Sequence, residues 1–333
     1  MQTDQSQKPL SVCVVSYNSF DIVRLAIDSI YGTSDDLVRE IIVVDNDSND
    51  GTPDRIQQTY PDVQVIRNHS NEGYAPAMNI ALAASRGDYV MTLSHDAELK
   101  PGAAAALLEF LRSHPRAGLA GPRTIDGNGE VVTTLHHPSL MLRTWSEIIP
   151  VKPWLKRRPA LRRFIGRVYP NSSGLTSDYS TTHRAPVIDG GCVMMKRATL
   201  DAVGLLDEKL MQGPDDYDLC YRVSRAGFET WYVAEAEIVH KTYDKDDVSL
   251  LSPTYLRTQL PQASYLYGKY HGRVLTAFFC GSAYLLALKW RRQVVRLYGK
   301  ESAHMNAVTE GAAFCLSPSR YEREYRALWA RPA

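Results

Sequence analysis

The chain of 333 residues has a formal net charge of +1, and 44% of its residues are hydrophobic and 23% charged. This composition is typical of a folded globular protein and excludes a disordered or collagen-like chain. Five scattered cysteines form no C-x-x-C pair, which excludes a disulfide framework or a zinc-ribbon pattern. Residues 1–9 lack the basic and apolar regions of a secretory signal, so we expect a cytoplasmic protein.

Strands and helices alternate over the first third of the chain. Short apolar runs predict strands at 10–15, 40–44, 63–67 and 88–93. Apolar residues at helical spacing, or a proline at the start, predict helices at 22–30, 52–60, 76–85 and 101–112. We expect Thr52 to cap the second of these helices. The alternation predicts an α/β fold with a mainly parallel central sheet flanked by helices.

The middle of the chain is less regular. Residues 136–185 are rich in Pro, Arg, Ser and Thr and have weak periodicity, which predicts a long insertion or a flexible segment. Regular structure is expected again at 187–196, and a helix at 216–226 ends before Gly227.

Two short strands, at 230–233 and 238–239, complete this part of the chain. From about 248 the pattern is helical and aromatic. We therefore predict an α/β domain over 1–247 and a C-terminal helical extension over 248–333.

Polar residues follow three of the predicted strands, at 16–18, 45–47 and 94–96. In open α/β sheets, ligands bind beyond the carboxyl ends of the strands. The chain lacks both the G-x-G-x-x-G fingerprint and the Walker phosphate loop, so another device must hold a phosphate group. The carboxylate of Asp96 is suited to hold Mg²⁺ or Mn²⁺, although a helix cap or a turn also explains an aspartate here.

A second polar cluster lies near residue 215. Asp215, Asp216 and Asp218 stand at a predicted helix start, where the helix dipole stabilises any acidic side chain. Asp218 can also form an i,i+4 ion pair with Arg222. His240 ends an apolar strand, where a histidine is either a structural residue or a ligand. Taken singly, these residues leave both interpretations open.

In their order along the chain, these segments resemble family 2 of the inverting glycosyltransferases, especially its bacterial rhamnosyltransferase-like branch. The resemblance covers roughly residues 9–245, and it implies the GT-A fold, in which a Rossmann-like sheet binds a nucleotide sugar. The matching segments are Ser11–Asn18, Ile41–Thr52, Asn71–Asn79, Asp189–Gly191, Asp215–Arg222 and His240.

The resemblance implies two sets of substrate-binding residues. Those expected to bind or adjoin the donor nucleotide are Ser16, Tyr17, Asn18, Asp45, Asn71, Gly73 and Asn79. For Gly73 and Asn79, a turn and helix packing are alternative explanations. Asp189 and Gly190 are expected to contact the donor or acceptor sugar, with a tight turn or bulge as the alternative.

The resemblance also implies a metal site and a catalytic base. Asp96 corresponds to the last carboxylate of the family's D-x-D motif, and His240 to a histidine that touches the metal in some members. Mn²⁺ or Mg²⁺ is the implied cofactor. Ser94 replaces the first carboxylate of the motif. Asp216 aligns with the base, and the neighbouring Asp215 shapes its charge, because two close carboxylates raise the pKa of one of them.

The implied reaction is inverting transfer of rhamnose or another hexose from a dTDP- or UDP-sugar. The implied acceptor is a saccharide or lipid-linked saccharide, as in O-antigen and other cell-surface polysaccharide synthesis. A catalytically silent nucleotide-sugar or glycan-binding protein is the alternative, because the D-x-D motif is incomplete. A nucleotidyltransferase would need a Gly-rich basic loop after the first strand.

Two basic stretches can contact a membrane surface, although for the first of them an acceptor diphosphate or an exposed, solvated run are the alternatives, and a solvated run is the more common outcome. Residues 152–167 carry seven Lys/Arg and no acid, and residues 248–300 carry eight and no acid. No nucleic-acid-binding motif accompanies them, so we expect no nucleic acid as a partner. The apolar run 274–288 is too short to span a bilayer. It is expected either to lie in an anionic membrane interface, making the protein peripheral on the inner face of the cell membrane, or to pack on the catalytic domain.

Overall fold

A computed structural model describes residues 8–34, 36–136, 139, 158–168, 178–210, 214–241, 262–282 and 285. The strands are β1 (Leu10–Ser16), β2 (Val38–Asp45), β3 (Gln64–Arg67), β4 (Tyr89–Leu93), β5 (Ala97–Leu99), β6 (Ala117–Ile125), β7 (Leu135–His136), β8 (His183–Arg184), β9 (Val187–Ile188), β10 (Cys192–Lys196) and β11 (Glu229–His240). The helices that precede β11 are α1 (Phe20–Ser34), α2 (Thr52–Thr59), α3 (Tyr74–Ala84), α4 (Ala103–Ser113), α5 (Pro159–Val168), α6 (Arg197–Val203) and α7 (Asp215–Arg225).

The main sheet has the strand order β3-β2-β1-β4-β10-β6-β11-β5, with β8 beside β11. Strands β3, β2, β1 and β4 are parallel, and so are β6 and β11. On this path only β10 and β5 run antiparallel to their neighbours. This mostly parallel sheet with helices on its faces confirms the predicted α/β fold.

Alternating residues of the strands pack into two cores, one on each face of the sheet. Val12 and Val14 of β1 pack in the core that α1, α2 and α4 cover. Cys13, between them in sequence, packs in the core that α3, α6 and α7 cover. The sheet is therefore the middle layer of three, and the loops lie at the ends of its strands.

The elements predicted in the first 112 residues are confirmed with small shifts of their ends. One detail was wrong, because α2 is preceded by Gly51, whose φ of 80° is left-handed, and Thr52 is its first residue. The hydroxyl of Thr52 accepts hydrogen bonds from the backbone N–H groups of Ser19 and Phe20, each at 3.1 Å. Thr52 therefore ties the start of α2 to the start of α1 instead of capping its own helix.

Strand β6 lies inside the sheet and was not predicted. Its sequence contains two glycines and a proline, which disfavour strands when they are judged locally. A Cβ at Gly121 would lie 2.6 Å from the side chain of Ile188, and one at Gly118 would lie 2.7 Å from Phe228. These glycines are therefore required by close packing, and the pairing of β6 with β10 and β11 overrides the local propensity.

Two further predictions differ from the structure or lie partly beyond it. The two short strands predicted after residue 230 are one strand, β11, with an irregular register between Val233 and Glu237. Within 136–185, the structure describes α5 and β8, and 137–138, 140–157 and 169–177 lie outside the described residues. The predicted domain boundary at 247/248 also lies outside them.

Residues 262–282 form a helical hairpin that turns at Gly272, whose φ is 77°. The hydroxyl of Ser264 lies 2.8 Å from the sulfur of Cys280, and the rings of Tyr267 and Phe279 stack with centroids 4.7 Å apart. In one straight helix, residues 264 and 280 would be about 24 Å apart. The chain therefore reverses, and we call 262–271 the first arm and 273–282 the second arm.

The first arm packs on the α/β domain. Leu266 and Tyr267 share a third core with Tyr217 and Cys220 of α7, and Phe279 of the second arm joins the same core. Packing on the domain, one of the two predicted outcomes for the extension, therefore holds for this hairpin. In the part of the chain that the structure describes, no helix is both long and apolar enough to cross a membrane.

Candidate active site

The ends of β1 and β2 place two predicted nucleotide-binding loops side by side. Ser16 is in register with Asp45, and its hydroxyl donates to the Asp45 carboxylate at 3.2 Å. Asp45 also accepts from the backbone N–H and the hydroxyl of Ser48, at 2.9 and 2.6 Å. The backbone N–H of Asn18 donates to Ser48 in turn, at 2.8 Å. Tyr17 is only partly buried beside them, so its ring can contact a ligand.

Asn46, which was not predicted as a site residue, connects these loops to the loop before α3. Its Nδ2 donates to Asn71 Oδ1 at 2.7 Å and to the Gly73 carbonyl at 3.1 Å. Its Oδ1 accepts from the N–H of Glu72 at 3.2 Å. Gly73 has a φ of 87°, a conformation that favours glycine. Asn46 therefore holds Asn71 and Gly73 next to the end of β2.

Asn79 lies on α3 and is turned toward a different segment. Its side-chain amide donates to the Leu206 carbonyl at 2.9 Å and accepts from the Leu206 N–H at 2.8 Å. Its Nδ2 also donates to Glu208 at 3.1 Å. These contacts fasten the loop after α6 to α3. The assignment of Asn79 to the nucleotide site stays a prediction.

Asp96 and His240 meet at the end of β4, where β5 and β11 pair. His240 Nε2 lies 2.8 Å from Asp96 Oδ1, and the Ser94 hydroxyl also donates to that oxygen. Burial alone would raise the pKa of Asp96, but hydrogen bonding and the charge of His240 lower it to about 2. Burial lowers the pKa of the neighbouring His95. Asp96 is thus a carboxylate at neutral pH.

The turn between β9 and β10 brings this pair to the start of α7. A Cβ on Gly190 would overlap the carboxylate of Asp216, and a Cβ on Gly191 would lie 3.1 Å from His240 Nδ1. The carbonyl of Gly191 accepts from the backbone N–H of Ser94 at 2.8 Å. Consecutive glycines therefore touch Asp216 and His240, which places the predicted base and the predicted metal ligands in one site.

Asp215 and Asp216 are the first residues of α7, and only Asp216 is partly exposed. The helix dipole stabilises their negative charges. Tyr74, at the start of α3, lies close enough to feel both charges. Burial raises its pKa well above the usual value, and the charges of Asp215 and Asp216 raise it further. The Tyr74 hydroxyl therefore keeps its proton at neutral pH.

Asp189 has a partner that was not predicted. His136 Nε2, on β7, lies 3.7 Å from Asp189 Oδ2, and the His136 ring stacks on Tyr217 with centroids 6.0 Å apart. Asp189 Oδ1 accepts from the Gly191 N–H at 3.3 Å. Asp189 therefore forms part of the turn that contacts Asp216. Its contact with a sugar stays a prediction.

The donor set at Asp96 and His240 is compatible with a divalent cation. One carboxylate oxygen and one imidazole nitrogen converge there, and both side chains reach solvent. Within the described ranges, no group of three or more His, Cys, Asp or Glu side chains has the arrangement of a metal site. A cation held by this pair would therefore need its remaining ligands from diphosphate oxygens and water, as is common for Mg²⁺ and Mn²⁺.

A cavity of about 720 Å³ lies along another part of α7. Its walls come from β8 and β9, from α7 and from the first arm, and they include Tyr217, Tyr221, Tyr270 and His271. Asp96, His240 and Asp216 do not line it. The predicted base and the predicted metal ligands therefore lie outside this cavity.

Residues 11–204 match the family model described as Glycosyl transferase family 2. The chain belongs to this family. The match covers the loops predicted to bind the nucleotide, Asp96 and the Asp189–Gly191 turn, and it ends before α7 and His240.

Two relatives are named for roles in glycan synthesis. The chain is 29% identical to N-acetylglucosaminyl-diphospho-decaprenol L-rhamnosyltransferase of Mycobacterium tuberculosis over 217 residues. That alignment covers 60% of this chain and 66% of the relative, just under two thirds of its length. The chain is also 31% identical to succinoglycan biosynthesis protein ExoO of Rhizobium meliloti over 122 residues, which are 36% of this chain and 33% of that one.

Solved structures share the fold. GalNAc-T7 with UDP, GalNAc and Mn²⁺ superposes with a TM-score of 0.56 at 16% identity, covering 97% of this chain and 58% of that one. The mannosyltransferase PcManGT of Pyrobaculum calidifontis, in complex with GDP-Man and Mn²⁺, gives 0.53 at 19% identity, covering 98% and 86%. The fold of this family 2 chain is therefore GT-A, as the sequence predicts.

Proposed function

We propose that this protein is an inverting, metal-dependent glycosyltransferase that uses a nucleotide sugar. The observation that carries the proposal is the pair of glycine contacts, Gly190 with Asp216 and Gly191 with His240. Through these contacts, consecutive residues of one turn touch a carboxylate at a helix start and the histidine that bonds to Asp96. Glycosyl transfer needs these two functions together, because a proton leaves the acceptor while negative charge builds on the leaving diphosphate.

The reaction follows from those roles. Asp216 accepts the proton of the acceptor hydroxyl, whose oxygen forms a bond to the anomeric carbon of the donor sugar. The bond from that carbon to the diphosphate oxygen breaks, and its electron pair leaves with the nucleoside diphosphate. With one carboxylate and no covalent intermediate, attack from the opposite face inverts the anomeric configuration.

Asp96 and His240 would hold Mn²⁺ or Mg²⁺, which when bound supplies positive charge opposite the diphosphate. Asp215 is placed beside the base, where its charge favours the protonated form of its neighbour. The Ser16–Asn18 loop, Asp45 and the loop from Asn71 to Gly73 form the nucleotide side of the site. Among them, the partly buried ring of Tyr17 is suited to stack on a base.

The substrates are proposed in finer detail from the mycobacterial relative. The name of that relative supports rhamnose as the donor sugar and a lipid-linked saccharide diphosphate as the acceptor. A dTDP- or UDP-sugar is the proposed donor, and cell-surface polysaccharide synthesis is the proposed process. Other hexoses remain part of the proposal, because the identity to that relative is 29%.

A lipid-linked acceptor requires the enzyme to reach a membrane, and the hairpin provides a surface for it. Val274, Leu275 and Phe278 of the second arm are 84%, 49% and 58% exposed. At about 100° per residue they lie within an arc of about 100° on one side of the helix. We propose that this arc, with the basic residues of 289–300, attaches the protein peripherally to the inner face of an anionic membrane.

The test is turnover of dTDP- and UDP-sugars with a polyprenyl-diphosphate-linked saccharide, with and without Mn²⁺. We expect release of nucleoside diphosphate and a product whose anomeric configuration, measured by NMR coupling, is opposite to that of the donor. The variant Asp216→Asn should bind the donor with unchanged affinity and transfer nothing, because it loses the base alone. Donor binding without release for any acceptor would instead identify a silent nucleotide-sugar-binding protein, and a retained anomeric configuration would exclude the single displacement.

A further inference from the structure

Asp218 on α7 is a fully buried carboxylate with three donors. Arg222 Nε lies 2.7 Å from its Oδ2, Lys269 Nζ lies 2.6 Å from its Oδ1, and the Tyr270 hydroxyl donates to Oδ1 at 2.5 Å. Arg222 belongs to the same helix, but Lys269 and Tyr270 belong to the first arm of the hairpin. A buried charge is stable only when it is paired and hydrogen-bonded, so these contacts hold the hairpin firmly to α7.

The same first arm also holds the loop that leads toward α7. Lys269 Nζ lies 2.7 Å from Asp207 Oδ2, and the Tyr265 hydroxyl donates to that oxygen at 3.0 Å. Arg222 Nη1 donates to the Val203 carbonyl at 2.6 Å. Lys269 therefore joins two carboxylates, Asp207 before α7 and Asp218 within it.

The clamping contacts lie close to the start of α7. The N-cap residue of this helix is Pro214, whose side chain cannot cap it through a hydrogen bond. Asp216 lies in the first turn, two residues before Asp218, and its carboxylate is against Gly190. A small rotation or shift of the first turn of α7 would move the Asp216 carboxylate relative to Gly190. It would also move the proposed base relative to a bound acceptor. Catalytic groups need to be held within about 0.5 Å of their productive position.

We propose that Lys269 and Tyr270 are positioning residues for Asp216. The first arm of the hairpin then contributes to catalysis by holding α7 in place. The inference rests on the proposed role of Asp216 as the base. It extends that function to residues that follow the predicted catalytic domain in sequence and contact α7 through Asp218.

Three variants of the full chain test this. Lys269→Met keeps the length of the side chain and removes its charge, and Tyr270→Phe keeps the ring that packs on Tyr221 and removes the hydroxyl. Lys269→Arg keeps the charge and serves as the rescue. The matched control is Thr276→Val in the second arm, since the Thr276 hydroxyl donates to the Gly272 carbonyl within the hairpin itself.

We expect Lys269→Met to lower kcat by roughly 10- to 100-fold, the size of effect that a misplacement of about 1 Å produces. The donor Kd should stay within about twofold of wild type, because Lys269 and Tyr270 bond to Asp207 and Asp218 and not to the predicted nucleotide-binding residues at the ends of β1 and β2. Tyr270→Phe should lower kcat less, Lys269→Arg should recover most of it, and Thr276→Val should leave it unchanged. Hydrogen exchange of the α7 peptide should rise in Lys269→Met and not in Thr276→Val.

The results separate this inference from the proposed function. Wild-type protein that binds donor and transfers nothing overturns the proposed function. Faster exchange of α7 in Lys269→Met would then still show that Lys269 stabilises α7, without a role in catalysis. An unchanged kcat in Lys269→Met and Tyr270→Phe overturns the positioning role. So does a loss of kcat that Thr276→Val reproduces, or one that comes with an equal loss of donor affinity, because either result means general destabilisation.

Discussion

Gly190 lies against Asp216 so closely that a Cβ at position 190 would overlap the carboxylate oxygen Oδ1. The contact joins a turn of the sheet to the first turn of α7. Asp216 itself stays partly exposed. The residue type at 190 is therefore set by the space that Asp216 occupies.

The first prediction is that Gly190→Ala lowers kcat by at least about tenfold while donor affinity stays close to wild type. The added methyl group must displace the Asp216 carboxylate, and misplacement of a base is costly. Steady-state kinetics and donor titration measure the two effects. Gly32→Ala is the matched control, since Gly32 lies in α1 with nothing within 4 Å of the new Cβ. A Gly190→Ala enzyme as active as Gly32→Ala would contradict the assigned contact.

The second prediction concerns the cation. Chelation should abolish transfer, and Asp96→Ala or His240→Ala should weaken donor binding roughly tenfold with Mn²⁺ present and far less without it. Each variant removes one proposed ligand, and the diphosphate then loses its countercharge. Calorimetric titration of the donor with and without Mn²⁺ gives both numbers.

His114→Ala is a suitable control for these variants. His114 is an exposed histidine that stacks on Phe110, with ring centroids 4.0 Å apart, and it lies at the end of α4. It should bind donor as the wild type does. Equal donor affinity in Asp96→Ala and wild type under Mn²⁺ would remove Asp96 from the metal site.

The third prediction is that Asp207→Asn destabilises the protein at neutral pH and much less at acid pH. Burial raises the pKa of Asp207, but hydrogen bonds and the charge of Lys269 outweigh this and lower it. A depressed pKa in the folded state contributes stability above the unfolded value of about 3.9, and the contribution is lost as the pH falls through the folded value.

Thermal unfolding at pH 7 and near pH 3 measures the difference between wild type and Asp207→Asn. At pH 7 the Tm should fall by a few degrees, since about 1 kcal/mol corresponds to roughly 2–4 °C in a domain of this size. Near pH 3 the two Tm values should approach each other. A difference that is independent of pH would show that the Asp207 charge does not stabilise the fold.

Local patterns predicted the first four strands of the sheet because their apolar runs, turns and helix starts all agree with the final fold. Strand β6 was missed for the opposite reason, since Gly118, Gly121 and a proline disfavour a strand until Phe228 and Ile188 pack against them. Only the tertiary structure brings these side chains to the glycines.

The candidate site also contains residues that the sequence predicts and residues that only the tertiary structure brings together. Asp96, Asp216 and His240 were predicted because the order of their segments along the chain resembles family 2 glycosyltransferases. His136 and Lys269 were not, since their partners Asp189 and Asp218 are more than 50 residues away in sequence. Asn46 stood in a motif that was noticed, but its bonds to the loop at 71–73 depend on how two strands are placed side by side. Spacing along the chain carries no signal for such pairs.

The fourth prediction concerns membrane attachment. The full-length protein should sediment with vesicles of phosphatidylglycerol and phosphatidylcholine, and bind pure phosphatidylcholine far less. Each Lys or Arg near an anionic surface contributes about 1 kcal/mol, and residues 289–300 carry five of them. Part of the protein should be released by about 1 M NaCl, where the Debye length is about 3 Å.

The double substitution of Phe278→Ser with Val274→Ser should weaken binding further, because these side chains are 58% and 84% exposed and would otherwise enter the interface. Ile22→Ser is the matched control, since Ile22 is 46% exposed on α1, away from the hairpin, and its loss should leave sedimentation unchanged. Equal sedimentation with neutral and anionic vesicles, or with neither, would mean that the hairpin only packs on the catalytic domain.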